Sequence, residues 1–280
     1  MKRVVIIPNP QKDKGLSVTT SLIACLVSLG IEVLIDEKLN ISEVAVTRYA
    51  EFPKDAELII VVGGDGSVID ASKLAILNGV PMLGVNLGRV GYLSEVDPGD
   101  LDVLSRLASG EYSIKEKMLL TVDVGVAHKD AVYAVNDVIV SHGEYLGISE
   151  FKLEDSCGNS LGYRADGVII ATPQGSTAYS FSSGGPVLAH DVEGILVTPV
   201  CPHSFFNRSV LFNSAEIISV TNTGAYPMNI AVDGRKYAEL MPGESCKISC
   251  SQRRVKMLTF SENKMFTELF KKMSVTEGLK

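Results

Sequence analysis

Leu58-Ile-Ile-Val-Val62 is an unbroken apolar run that ends directly in Gly63-Gly64-Asp65-Gly66, and helical spacing follows from Ser67 to Leu77 before Asn78-Gly79. A strand that is apolar at every position has no face to show to water, so both of its faces must be covered. Helices joining parallel strands supply that cover. The neighbouring segments follow the same logic. Arg3 to Ile7 is a β-branched run closed by Pro8-Asn9-Pro10. Leu16 to Leu29 places Leu22, Ile23, Leu26 and Val27 at helical spacing, with Gly30 as its stop, and Ile31 to Ile35 and Pro81 to Val85 read as further strands. This half of the chain predicts an α/β unit built on a parallel sheet.

From about Lys115 the pattern changes. Leu119 to Val126, Tyr133 to Val140, Ile148 to Glu154, Gly167 to Thr172, Ile217 to Val220, Met228 to Val232 and Cys246 to Ser251 are short and rich in Val, Ile and Thr. Turn residues separate them, among them Gly143, Asp155 to Asn159, Thr223-Gly224, Asp233-Gly234 and Pro242-Gly243. With no clear helical stretch between them, they predict a second, mostly antiparallel β-rich domain. The last residues, with Phe260, Met265, Phe266, Leu269 and Phe270, predict a terminal helix.

The chain has 280 residues and a formal net charge of −7. An acidic balance argues against a nucleic-acid surface. It leaves anionic ligands open, because backbone N–H groups bind phosphate without net positive charge. The apolar stretch Val4 to Ile7 is too short for a signal peptide, and the longest uncharged run, Gly167 to His190, is broken by Pro, Gly and hydroxyl residues, so no membrane span is expected. Cys25, Cys157, Cys201, Cys246 and Cys250 are odd in number and contain no CxxC pair. Buried, reduced thiols and a cytoplasmic protein are the expectation.

Two stretches carry candidate chemistry. In Gly63-Gly64-Asp65-Gly66-Ser67 the glycines allow close backbone approach to phosphate oxygens beyond the carboxyl end of a buried strand. Asp65 is odd in such a cradle, since a carboxylate repels phosphate. It suits a hydroxyl that must lose its proton, or a magnesium ion; equally, Asp65 could cap the helix of a tight turn. The loop is neither a GxGxxG nor a Walker A pattern. In the second stretch, Tyr163-Arg164-Ala165-Asp166-Gly167 is followed by Ala171-Thr-Pro-Gln-Gly-Ser-Thr-Ala-Tyr-Ser180 and Ser183-Gly-Gly-Pro186. Its hydroxyls and glycines suit a nucleotide, or a Ser/Gly-rich surface loop. Asn136-Asp137 alone reads as a turn as readily as a ligand site. His128, His142, His190 and His203 lack metal-ligand spacing, and no dedicated metal cage is legible.

Gly63-Gly-Asp-Gly66, Asn86-Leu-Gly-Arg-Val-Gly-Tyr-Leu93, Asn136-Asp137, Asp166-Gly-Val-Ile-Ile-Ala-Thr-Pro-Gln-Gly-Ser-Thr-Ala-Tyr179 and Ser183-Gly-Gly-Pro186 come in this order. Thr198-Pro199-Val200, Pro202-His203-Ser204 and Asp233-Gly234 follow them downstream. In this combination the chain resembles the NAD kinases of the bacterial type, from about residue 4 to 240. Gly-Gly-Asp-Gly alone is shared with diacylglycerol and sphingosine kinases and with phosphofructokinases; the Gly-Ser-Thr-Ala-Tyr stretch is far more specific.

The resemblance implies a Rossmann-like α/β domain over 1–114 to which about 258–280 returns, and a β-rich NAD-binding domain over 115–257. It implies transfer of the ATP γ-phosphoryl group to the 2′-hydroxyl of the adenosine ribose of NAD, with Mg²⁺ delivered by ATP. Asp65 would be the general base, and Gly63, Gly64, Gly66 and Ser67 the phosphate loop. Gly66, Asn136, Asp137, Arg164, Asp166, Thr177, Ala178, Tyr179, Ser180, Phe181 and Ser182 would contact substrate, with Arg164 and Asp166 at the nicotinamide or a neighbouring subunit. A homodimer or homotetramer is implied, with no nucleic-acid or membrane partner. Three positions depart from the family pattern: Asp137 stands where Glu is common, Ser67-Val-Ile-Asp70 replaces a Thr-x-Leu stretch, and Arg235 stands where Gln often follows Asp-Gly. No Lys/Arg cluster flanks the glycine loop in sequence, so magnesium is expected to neutralise much of the phosphate charge. The rival readings are a lipid kinase, which lacks a basic amphipathic helix here, a sugar kinase, which lacks a second α/β lobe, and a nucleotide sensor, to which Asp65 brings little.

Overall fold

The computed structural model describes residues 1–39, 41, 45–88, 91–125, 132–145 and 147–260. The terminal helix expected beyond Phe260, and His128, lie outside the described residues. The chain divides into two compact units, Met1–Glu116 with the segment from Val255 onward, and Lys117–Arg254.

In chain order the first unit contributes β1 (Arg3–Pro8), α1 (Ser17–Ser28), β2 (Glu32–Asp36), β3 (Thr47–Tyr49), β4 (Leu58–Gly63), α2 (Asp65–Asn78), β5 (Met82–Asn86), α3 (Ser105–Ser109) and β6 (Ser113–Lys117). The second follows with β7 (Leu120–Asp123), β8 (Tyr133–Ala134), β9 (Asp137–His142), β10 (Ser149–Glu154), β11 (Ser160–Ala165), β12 (Gly167–Ala171), α4 (Tyr179–Ser182) and β13 (Gly194–Val200). It ends with β14 (Val210–Asn213), β15 (Ile217–Asn222), β16 (Met228–Val232), β17 (Arg235–Leu240) and β18 (Ser245–Cys250), after which β19 (Val255–Thr259) rejoins the first unit.

The first unit is a seven-stranded sheet in the order β3-β2-β1-β4-β5-β19-β6. β1, β4 and β5 lie side by side and parallel, with Val4 opposite Leu58 and Val62 opposite Val85. Every residue of β4 is buried, as its unbroken apolar run requires. Helix α1 covers the sheet with Leu22, Ile23 and Leu26, whereas Val27, grouped with them by spacing, is exposed. Gly30, at φ +72°, ends that helix in the left-handed conformation that an L side chain resists. β19 pairs parallel with β5 at Met257 and Met82. Its end is held by Glu95, which accepts from Thr259 Oγ1 and the Phe260 N–H, both at 2.8 Å, and by Arg106, which donates to the Phe260 carbonyl at 2.7 Å.

The second unit holds two six-stranded sheets, β11-β10-β15-β18-β7-β8 and β14-β13-β12-β9-β16-β17. Val168 and Ile170 of β12 join a core shared with Phe151, Tyr163, Val220 and Ile248 of the other sheet. The alternate residues Ile169 and Ala171 pack on the opposite face with Leu196 and Leu188, so β12 is buried on both sides. The strand expected over Tyr133–Val140 is broken at Val135-Asn136. There the N–H groups of Val135, Asn136 and Asp137 turn to the carboxylate of Asp233 instead of to a neighbouring strand. The short helix α4, and a 3₁₀ turn over Gln174–Thr177, stand where the sequence shows no helical pattern. No helix among the described residues is long and apolar enough to cross a membrane. All five cysteines are unpaired, but the expected burial fails for Cys157 and Cys201, which are exposed, while Cys246 is buried.

Candidate active site

Parallel neighbours end at the same edge of a sheet, so the loops after β1, β4 and β5 gather around the glycine loop. The Leu87 N–H donates to the Gly63 carbonyl at 2.7 Å, which brings the Asn86–Leu93 motif to the end of β4. On the other side, the Asn9 N–H donates to the Val62 carbonyl at 2.8 Å and Asn9 Nδ2 donates to Ser67 Oγ at 2.7 Å. A side chain at Gly64 would run into the ammonium of Lys12, and one at Gly63 into the side chain of Ser67. At Gly66 the same position is open space, so nothing among the described residues requires a glycine there. A ligand that must approach the backbone closely would require it.

Asp65 is the first residue of α2, but it does not cap the helix. Gly64 is the N-cap and makes no side-chain capping bond. Asp65 Oδ1 instead accepts the Leu93 N–H at 2.9 Å, and among the described residues Oδ2 accepts no hydrogen bond. The capping alternative is therefore corrected: the carboxylate is oriented by a neighbouring loop and keeps one oxygen free for another partner. Tyr92 lies close enough to feel that charge. Burial pushes its hydroxyl pKa up, and Asp65 adds to the effect. Asp70 is exposed further along α2.

The second unit assembles another group around the break between β8 and β9. Asp233, in the left-handed conformation at φ +47°, accepts the N–H groups of Val135 at 2.9 Å, Asn136 at 2.8 Å and Asp137 at 3.1 Å. The Asn136 carbonyl accepts the Thr172 N–H at 2.8 Å, and Thr172 Oγ1 donates to the Val135 carbonyl at 2.7 Å. A side chain at Gly175 would collide with the Asn136 carbonyl, so the glycine lets this loop lie directly on Asn136. The Asn136-Asp137 pair and the Gly175-Ser-Thr177 stretch, separate in sequence, thus form one cluster. The Asp137 carboxyl is almost wholly buried; burial first, and then the charge of Asp233, raise its pKa to about 7. Among the described residues it meets no hydrogen-bond donor.

The candidate residues of α4 divide by exposure. Tyr179, Phe181 and Ser182 face solvent, Ala178 is half-buried and Thr177 is buried. Ser180 is fully buried, and its hydroxyl bonds Thr198 Oγ1 at 2.8 Å, which ties the helix to β13. Arg164 and Asp166 stand apart from this cluster. Asp166 precedes β12 and Thr172 follows it, which separates them by about 20 Å at roughly 3.3 Å per residue. Arg164 pairs with Glu150 at 3.2 Å, and its carbonyl accepts the His203 N–H at 2.7 Å. Arg235 lies exposed at the start of the edge strand β17.

Lys12 and Asp233 are the site residues that sequence reasoning missed. Lys12 follows β1, whose adjacency to β4 is a property of the sheet and not of the local sequence. Asp233-Gly234 was legible as a turn and as one of the downstream motifs of the resemblance, but not as a contact of Asn136, to which the pairing of β16 with β9 brings it.

Comparison with known proteins assigns the family. Residues 4–112 match the ATP-NAD kinase N-terminal domain, and residues 135–260 match the ATP-NAD kinase C-terminal domain. The NAD kinase of Natranaerobius thermophilus is 33% identical over 282 residues, covering 98% of each chain. The chain belongs to the ATP-NAD kinase family. Among solved structures, the fold is similar to yeast NADH kinase complexed with NADH, at a TM-score of 0.81 and 21% identity over 96% of this chain and 86% of that one. It is also similar to an NAD kinase from Archaeoglobus fulgidus in complex with ATP, at a TM-score of 0.76 and 24% identity over 98% and 99%. The two-domain architecture, an α/β unit with a β-rich second unit, is that of the ATP-NAD kinase fold.

Proposed function

We propose that this chain transfers the γ-phosphoryl group of ATP to the 2′-hydroxyl of the adenosine ribose of NAD, giving NADP and ADP. Family membership over both units supports the reaction, and the Asp65 carboxylate supports the chemistry. A ribose hydroxyl is a weak nucleophile at neutral pH, and a placed carboxylate that takes its proton contributes roughly 10²–10⁴-fold. The Leu93 N–H holds one oxygen of Asp65, leaving Oδ2 to accept that proton. The open position at Gly66 and the backbone N–H groups at the start of α2 suit phosphate oxygens. The remaining acceleration comes from alignment of hydroxyl and phosphorus and from charge neutralisation.

In this reading Asn136 and Asp137 hold the ribose and phosphate region of NAD, and Thr177, Ala178, Tyr179, Phe181 and Ser182 line its base pockets, with Ser180 holding their helix in place. Arg164 and Asp166, at the far end of β12, serve the nicotinamide end of the dinucleotide or the site of a second copy in a homodimer or homotetramer. Among the described residues no three His, Cys, Asp or Glu side chains converge as cation donors. A divalent cation, Mg²⁺ or another, would arrive with the triphosphate and draw its ligands chiefly from phosphate and water. Such an ion supplies charge neutralisation on the phosphate oxygens. Five unpaired cysteines support a reducing compartment, the cytoplasm.

Incubation with ATP, magnesium and NAD, read by an NADP-specific dehydrogenase, tests the substrate assignment. NADP is the expected product. Phosphoryl transfer to a lipid or a sugar, with none to NAD, would overturn it.

A further inference from the structure

We propose that Lys12 is a phosphate-contacting residue of the donor site, its ammonium meeting the phosphate chain of the nucleoside triphosphate at the glycine loop. The proposal rests on the reading of this chain as an ATP-dependent kinase. Lys12 is distant from that loop in sequence, and the backbone fixes where it stands. The turn that carries it is pinned at both ends. On one side the Asn9 N–H bonds the end of β4 and Asn9 Nδ2 bonds Ser67 in the first turn of α2. The Asn9 carbonyl accepts the N–H groups of Lys12 at 3.0 Å and Asp13 at 2.9 Å, and Asn9 Oδ1 accepts the Gln11 N–H at 3.1 Å. On the other side the buried carboxylate of Asp13 accepts from the Val18 N–H at 3.0 Å, the Thr19 N–H at 2.8 Å and Thr19 Oγ1 at 2.6 Å. Lys12 lies between these two anchors, with its ammonium resting on Gly64.

Among the described residues no carboxylate lies within ion-pair distance of Lys12, so its ammonium carries no internal ion pair against the glycine loop. The loop also carries a carboxylate, Asp65, which repels the polyphosphate that a kinase must bring to the same place. A cation lying against the glycine backbone offsets that repulsion and adds a charge-assisted hydrogen bond to a phosphate oxygen. Lysine suits the task as a compact charge on a flexible stem, able to follow a phosphoryl group through transfer.

The test is calorimetric titration of the full chain with ATP and magnesium in the absence of any acceptor, comparing wild type with Lys12→Met and Lys12→Arg. Adenosine binding is followed by ligand-observed NMR, and the unfolding midpoint is measured on the same samples. Lys12→Met is expected to weaken ATP about 10- to 100-fold, as loss of a charged hydrogen bond does. Adenosine affinity and the unfolding midpoint should hold, and Lys12→Arg should keep ATP affinity within about threefold. ATP affinity unchanged in Lys12→Met, or an equal loss for ATP and adenosine, would overturn the assignment. Because NAD is absent, the result is independent of whether NAD is the acceptor, which the NADP assay decides separately.

Discussion

Asp137 holds a carboxyl group almost wholly out of water beside the carboxylate of Asp233, and its pKa rises from an ordinary 3.8 to about 7. The folded state therefore keeps a proton there that the unfolded chain releases. Stability from this group is fully present below pH 3.8 and is lost as the pH rises through about 7. Asp137→Asn removes that dependence while keeping the shape of the side chain. Between pH 5 and pH 8 the stability difference between variant and wild type should move in favour of the variant by about 3 kcal/mol, at 1.36 kcal/mol per pH unit. Urea unfolding at the two pH values measures it; an identical gap at both would show that Asp137 is ionised throughout. The raised pKa also suits the role proposed for this residue. A protonated carboxyl can donate to a ribose oxygen as well as accept from a ribose hydroxyl. The shorter Asp, where the family pattern has Glu, was legible in the sequence. Its burial against Asp233 was not, because that contact depends on strand register.

Elements were legible in proportion to how strongly local pattern determines them. β4 and α2 were readable because an uninterrupted apolar strand and a helical period meet at a glycine turn. β13 went unread because Pro199 interrupts its β-branched run, and β11 because its short alternation of Leu161, Tyr163 and Ala165 is interleaved with Gly162 and most of its residues are exposed. β19 followed from no local signal, since its place between β5 and β6 is set by the sheet. The same limit applies to the loop after β12. Its hydroxyls suggested a nucleotide, but several of them serve the fold: Thr172 bonds Val135, Ser176 bonds the Pro173 carbonyl and Ser180 bonds Thr198. Gly175 sets how closely this loop lies on Asn136. Gly175→Ala should cost about 1–3 kcal/mol of stability, as insertion into a packed contact does. It should also raise KM for NAD while leaving KM for ATP unchanged. Thermal unfolding and two-substrate kinetics check both; an unchanged KM for NAD would separate the loop from NAD binding.

At the scale of the molecule, each unit has its own core and its own cluster of candidate residues, and the family match spans both. The glycine loop with Asp65 belongs to the first unit, and the Asn136-Asp137-Asp233 group to the second. In the proposed function the first group handles the triphosphate and the second recognises the ribose. The one step in which a proton must leave the acceptor is assigned to Asp65. NADP formation by Asp65→Asn, with NAD binding measured on the same protein, tests that assignment most directly. Turnover should fall by at least about 10²-fold with NAD affinity within about twofold of wild type, the signature of a lost base. Full turnover in Asp65→Asn, or a loss of activity matched by an equal loss of NAD affinity, would contradict it.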